Sequence, residues 1–171
     1  MDITEVILHQ HAEQRRMFAM LDEVDRSDTA TLTALWRRLE IFLETHAEAE
    51  ERYFYPPLLQ VGKGAADADD AGEEVEDAVK DHNEIRDAVR KVGQQEVGSD
   101  GWWKAVIDAR VANSDHMAEE ERQDLADFRQ RTDLQTRHDI AMQFLRFESE
   151  KAASGVKPVD KDPDEYVEEH S

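Results

Sequence analysis

Apolar side chains recur every three or four residues over four long segments of the chain, and this spacing limits what the chain can fold into. In the third of these segments, for example, one stripe contains Val75, Ala78, His82, Ile85 and Val89. Such a period places the side chains on one face of an α-helix. No segment shows the strict alternation of apolar and polar residues that is typical of a strand. The pattern therefore predicts an all-α protein.

The boundaries of the helices follow from capping residues and from breaks that contain glycine or proline. Helices are predicted over residues 3–25, 29–55, 72–95, 102–129 and 134–153, and Pro56 and Pro57 are expected to end the second. One-sided helices joined by short loops are typical of an up-down-up-down four-helix bundle, here with an additional C-terminal helix. We predict one domain over residues 1–153 and an acidic, flexible tail over residues 154–171.

The charge and composition exclude several classes of function. The chain of 171 residues has 21 Lys and Arg against 41 Asp and Glu, a net charge of −20. Such a surface repels nucleic acids and anionic membranes. Cysteine is absent, which excludes disulfides and thiolate metal sites. With no apolar run long enough for a bilayer and no secretory signal pattern, we expect a soluble, cytoplasmic protein that is a monomer or a weak homo-oligomer.

Polar residues interrupt the apolar stripes at positions that should be buried. Two of the helices contain the motif H-x-x-x-E, His46 with Glu50 and His116 with Glu120, and this spacing places both side chains on one face. The first and third helices each contribute one histidine, His11 and His82. Because burying such groups unpaired is costly, another group must compensate for them.

The depth of these residues in the bundle predicts that they meet. With a rise of 1.5 Å per residue along antiparallel helices, all six fall within a layer about 12 Å thick. Four imidazoles and two carboxylates suit transition metals and suffice for two ions. A metal-free network of hydrogen bonds is the alternative. The candidate metal ligands are His11, His46, Glu50, His82, His116 and Glu120.

Other histidines and one tyrosine lie near the stripes. His9 and His11 lie about 200° apart around the helix, so only one can face the core, and the apolar neighbours favour His11. Tyr53 follows Glu50 by three residues, and is either a core aromatic residue or a phenol beside the metals, as a ligand or as a contact of one. His138 is expected to be a surface or packing residue.

These motifs resemble those of hemerythrin-like proteins with an HHE cation-binding domain. The resemblance is carried by HAEAEERYFYP at 46–56, DHNEIR at 81–86, HMAEEE at 116–121 and QH at 10–11, where the family has Asp before the histidine. It covers about residues 2–150. It implies a non-heme centre of two iron ions inside the bundle, with oxo or hydroxo and carboxylate bridges, held by the six candidate residues.

One departure from oxygen-carrying hemerythrins bears on function. Those carriers have H-x-x-x-H on the third helix, where this chain has His82 and Arg86. One ligand fewer favours peroxide chemistry over reversible binding of dioxygen, and actinobacterial relatives of this four-histidine type are associated with catalase-like activity. The resemblance thus favours an enzyme that decomposes hydrogen peroxide in oxidative stress defence. The alternatives are binding or sensing of oxygen, nitric oxide or iron without turnover, and purely structural metal binding.

Overall fold

The computed structural model describes residues 1–66, 68–154, 157 and 159–171, and within these it contains helices only. Four long antiparallel helices form the bundle, so the predicted all-α fold with an additional C-terminal helix is confirmed. The helices are α1 (Ile3–Asp22), α2 (Thr29–Tyr53), α3 (Tyr55–Val61), α4 (Ala71–Val92), α5 (Asp100–Arg122), α6 (Asp124–Arg131), α7 (Leu134–Ser154) and α8 (Pro163–His170).

Side-chain caps fix where the four bundle helices begin. Asp2, Asp28, Asp70 and Ser99 precede α1, α2, α4 and α5, and each side chain accepts a hydrogen bond from a backbone N–H in the first turn. These N–H groups have no partner within the helix, and a capping oxygen typically stabilises it by about 1 kcal/mol. The caps therefore set the register in which each helix presents its buried face.

The end of α2 differs from the prediction, which continued this helix to residue 55. The helix ends at Tyr53, and α3 begins at Tyr55 after Phe54. Pro56 has no N–H to continue the hydrogen-bond ladder of α2, whereas a proline in the first turn of a new helix is favourable. The two prolines therefore begin a helix as well as ending one, and the break changes the direction of Tyr55.

The predicted helix over residues 102–129 is also divided. It consists of α5 and α6, which are separated at Gln123. α6 buries Leu125 and Phe128 in the core. Asp127 on the same helix accepts hydrogen bonds from the backbone N–H groups of Lys63 and Gly64, so α6 also anchors the loop after α3.

Part of the segment predicted to be a flexible tail forms a helix. Residues Pro163–His170 form α8, which packs against α4 and buries Tyr166. The hydroxyl of Tyr166 donates to the backbone carbonyl of Glu51, and Asn83 exchanges two hydrogen bonds with the backbone of Lys161. The acidic composition of the segment favours a solvated chain, and it gives no sign that Tyr166 packs against the bundle. Of the predicted tail, residues 155, 156 and 158 lie outside the described residues.

Two apolar clusters fill the bundle, one at each end. The first includes Ile7 from α1 and Val79 from α4, and the second includes Phe18 and Val89 from the same two helices. A polar layer therefore lies between the clusters, at the depth that the sequence predicted. None of the helices described has the length and apolar character needed to cross a bilayer.

Candidate metal centre

The structure brings all six predicted ligand residues into the polar layer between the two clusters. α1 supplies one histidine, α4 another, and α2 and α5 each supply a histidine and a glutamate. His46 is the most exposed of the set, at 4% of its surface. The residues are His11, His46, Glu50, His82, His116 and Glu120.

Glu50 lies at the middle of this cluster. Its Oε1 is 2.9 Å from Nε2 of His46 and 3.9 Å from Nε2 of His11. Its Oε2 is 3.3 Å from Nε2 of His82, which is 3.1 Å from Nε2 of His116. Two groups suited to a cation follow, His11 with His46 and Glu50, and Glu50 with His82 and His116. The two groups share one carboxylate, with one oxygen toward each.

Glu120 lies beside the first group and joins it to a tyrosine. Its Oε2 is 3.1 Å from Nε2 of His11. Its Oε1 accepts a hydrogen bond of 3.1 Å from the hydroxyl of Tyr55, and that hydroxyl is 3.4 Å from Nε2 of His82. Glu120 therefore contacts the cluster through one oxygen and the phenol through the other.

Each of the four imidazoles has a polar partner at its outer nitrogen. The partners of Nδ1 are Glu121 for His11 (2.9 Å), Gln10 for His46 (2.6 Å), Glu51 for His82 (2.9 Å) and Asp81 for His116 (3.6 Å). Such partners fix the orientation and tautomer of a ligating imidazole. In all four cases Nε2 is left to face the centre.

The hydrogen bonding of the inner atoms of the cluster shows whether these residues suit a metal. Nε2 of His11 and of His46, both carboxylate oxygens of Glu50 and Oε2 of Glu120 are buried without a hydrogen-bond partner in the part of the chain described. Leaving such groups unsatisfied typically costs about 1–3 kcal/mol each. Cations bound between these nitrogens and oxygens would satisfy all of them, so the residues fit a metal centre.

The metal-free cluster is balanced by charge. Burial lowers the pKa of His11, but the nearby carboxylates of Glu120 and Glu121 outweigh this effect and raise it to about 9. Burial likewise lowers the pKa of His82, and the carboxylates of Glu50 and Glu51 raise it to about 9. Without a cation, protons on these imidazoles compensate the carboxylates, and binding of a metal must displace them.

Tyr53 is placed as a packing aromatic residue, and its alternative role beside the metals stays a prediction. Its ring packs against Phe147 of α7, with the ring centroids 5.7 Å apart. The phenol at the cluster belongs to Tyr55, which is fully buried. The prediction extended the helical period of Glu50 across the break at Phe54. The signal that could have found Tyr55 is Pro56, because a residue before proline rarely continues a helix.

A buried network around Glu51 was not predicted from the sequence. Its Oε1 accepts a hydrogen bond of 2.8 Å from Nη2 of Arg86, in addition to its contact with His82. Lys161, from the segment before α8, forms an ion pair with Oε2. Arg86 also donates to Glu44 at 3.4 Å. Arg86 thus supports the partner of His82 instead of occupying the centre.

Two histidines outside the candidate set, His9 on α1 and His138 on α7, lie away from the centre. His9 is exposed, whereas His11 is fully buried, so the choice between these two is confirmed. His138 is half-buried on α7, and neither cation-binding group includes it.

Comparison with known families agrees with this geometry. Residues 2–128 match the family model described as the hemerythrin HHE cation binding domain, about three quarters of the chain. The chain belongs to the hemerythrin HHE family. No curated protein and no solved structure matches it at a significant level. The HHE match contains all six candidate residues and Tyr55, whereas α7 and α8 lie beyond it. The protein therefore has a helical cation-binding domain, and the contacts of Lys161 and Tyr166 with Glu51 come from outside that domain.

Proposed function

We propose that this protein binds two iron ions in the polar layer and decomposes hydrogen peroxide. The position of Glu50 supports the proposal most directly, because each of its oxygens faces a different histidine group. His11 and His46 would hold one ion and His82 and His116 the other, with Glu50 between them and Glu120 beside His11. When bound, an iron pair supplies two-electron redox chemistry, which converts two molecules of hydrogen peroxide into two of water and one of oxygen.

The protein contributes a closed site with oriented groups. Apolar clusters lie on both sides of the polar layer and exclude bulk water from it. The outer partners of the imidazoles fix the four rings before a ligand arrives, which reduces the reorganisation needed on binding. A small uncharged molecule such as hydrogen peroxide suits a centre with so little exposed surface.

Tyr55 is placed to hold a proton at the centre. Burial raises the pKa of its phenol, and the charges of Glu120 and Glu50 raise it further, so the metal-free phenol stays protonated at neutral pH. Its hydroxyl donates to Glu120 and lies near Nε2 of His82. A donor in this position can hydrogen-bond a small molecule that enters between these two residues.

The α4 residues favour turnover over storage of dioxygen. His82 is the one imidazole that α4 gives to the cluster, because Arg86, one turn later, is directed to Glu51 and Glu44. The site therefore has fewer protein ligands than one with a second imidazole on this helix. Open positions allow a substrate to bind and products to leave.

The proposal is tested by loading the protein with Fe²⁺ without oxygen, removing free metal, and measuring iron content and oxygen release from hydrogen peroxide. We expect two ions per chain and oxygen release that is lost when the iron is removed by a chelator. Free iron at the same concentration serves as the control. Fewer than two ions would contradict the paired centre. A reversible oxygen adduct without oxygen release would instead support binding or sensing.

A matched pair of tyrosine variants tests the part played by Tyr55. Tyr55→Phe removes the hydroxyl at the centre, whereas Tyr53→Phe removes the hydroxyl of a ring that packs against Phe147. We expect Tyr55→Phe to lower peroxide turnover about ten-fold, the equivalent of one lost hydrogen bond of about 1.4 kcal/mol. Iron content should remain at two ions, and Tyr53→Phe should turn over like the wild type. Equal activities in the two variants would exclude a role for Tyr55 in the reaction.

A further inference from the structure

A small acidic cavity lies next to the candidate centre, between α4 and the junction of α5 with α6. Its volume is about 10 Å³, enough for one water-sized species. His116 and Glu120 belong to its lining, so it directly adjoins the polar layer. Glu74 and Asp124, which also line it, are buried, each with 2% of its surface exposed.

Two carboxylate oxygens of this cavity are buried without a partner. Oε2 of Glu74 and Oδ2 of Asp124 have no hydrogen bond from any described residue. The other oxygen of Glu74 accepts from the backbone N–H of Ala65 at 2.8 Å. Asp127, on the same helix as Asp124, is different, because it binds the loop after α3 and forms an ion pair with Arg131. Glu74 and Asp124 therefore each line the cavity with one carboxyl oxygen that no described residue hydrogen-bonds.

The cavity lining changes from exposed to buried toward the centre. Asp77 and Glu119 are exposed, Asp81 is half-buried, and Glu74 and Asp124 are buried. Apart from histidine, the lining taken from the described residues contains no basic side chain. Carboxylate oxygens at graded depth suit a divalent cation that loses its water in stages, since hard cations prefer oxygen ligands.

We propose that this acidic cavity is the route by which a divalent cation enters the centre. The cation would be attracted by Asp77 and Glu119, bind transiently between Glu74 and Asp124, and pass to His116 and Glu120. Glu74 and Asp124 would then govern the rate of loading and leave the final occupancy unchanged. This inference rests on the proposed function insofar as it requires a metal centre beyond the cavity.

A purely structural explanation makes a different prediction. Two buried carboxyl groups can be neutral and satisfy each other or a water molecule, with no part in loading. Amides at both positions would then leave the kinetics of metal uptake unchanged. The rate of uptake therefore separates the two explanations, and the final metal content reports on the centre itself.

The experiment compares the double variant Glu74→Gln/Asp124→Asn with the double variant Glu165→Gln/Glu169→Gln. Both replace two carboxyl groups with amides, and the α8 variant controls for a change in the long-range attraction of cations. Glu165 and Glu169 lie on α8, away from this cavity, and line a separate acidic depression. Uptake is followed in a stopped-flow instrument by the absorption bands of Co²⁺, and the end point is checked by metal analysis after loading with Fe²⁺.

We expect the Glu74→Gln/Asp124→Asn variant to load at least about ten-fold more slowly than the wild type and to reach two ions per chain. The α8 variant should load close to the wild-type rate. Uptake at the wild-type rate in the first variant, equal slowing in both, or a first-variant end point below two ions would each overturn the proposed route. A wild-type protein that binds no metal would refute the proposed function. Failure of the entry route alone would instead appear as a changed pattern of uptake rates in a wild-type protein that does bind metal. Circular dichroism and melting curves establish that both variants are folded.

Discussion

Replacing Glu50 with glutamine is expected to reduce metal binding from two ions per chain to fewer than one. The reason is that both cation-binding groups depend on this carboxylate, with Oε1 2.9 Å from His46 and Oε2 3.3 Å from His82. Glutamine preserves the volume but replaces one oxygen with an N–H₂ donor, which cannot bind a cation. The variant also lacks the negative charge that offsets the two cations. Metal analysis after anaerobic loading and desalting gives the result directly.

Glu48→Gln provides the matched control. Glu48 lies two residues earlier on α2 and is also buried, but it pairs with Arg52 and Lys161 on the other side of the helix. This variant should keep two ions. Two ions in Glu50→Gln would refute a shared carboxylate. Loss of metal in both variants would show that any change of charge on this helix disrupts the centre.

The candidate ligands could be predicted because regular helices carry positional information over long distances. The pairs His46 with Glu50 and His116 with Glu120 lie within straight stretches of α2 and α5, so their spacing fixes their common face. The helical rise per residue then places the candidate ligands of all four helices in one layer, and this estimate does not need the packing angles of the helices. Their role as ligands stays a prediction, which the Glu50 variant tests.

Periodicity is least informative where a helix ends. Tyr53 continues the period of Glu50, but α2 ends there, and the residue whose hydroxyl contacts Glu120 is Tyr55, after the break. Local steric effects of Pro56 determine this change, and a helical wheel does not include them. The fourth predicted helix is divided at Gln123 without a nearby proline to signal the break, and the pattern of apolar residues continues across it.

The network around Glu51 could not be found from periodicity at all. Lys161 is 110 residues from Glu51 along the chain, and Tyr166 is 115 residues away. Pairings of charged residues at such separations leave no repeat in a sequence. The acidic composition after residue 154 favoured a solvated segment, while a single buried aromatic residue docks it. The helices and the positions of the candidate ligands can be predicted from the sequence, whereas long-range polar contacts can be identified only in the structure.

Arg86→Met is expected to destabilise the metal-free protein by about 3–5 kcal/mol, the usual cost of removing one partner of a buried ion pair. The Arg86 side chain is almost fully buried and donates to Glu51 at 2.8 Å and to Glu44 at 3.4 Å. Methionine fills much of the space but leaves both carboxylates without the guanidinium, and Glu44 has no other cation in contact among the described residues. Urea denaturation, followed by circular dichroism, measures the change in free energy of unfolding.

Arg90→Met separates the effect of burial from the loss of a charge on α4. Arg90 lies one turn after Arg86, is exposed, and pairs with Asp87 and Asp160 at the surface. Surface pairs typically contribute about 1 kcal/mol or less, so this variant should unfold at nearly the wild-type urea concentration. If both variants lost the same small amount of stability, Arg86 would not be the counter-ion that allows Glu51 and Glu44 to be buried. A large loss confined to Arg86→Met would show that the buried guanidinium is the counter-ion of Glu51 and Glu44.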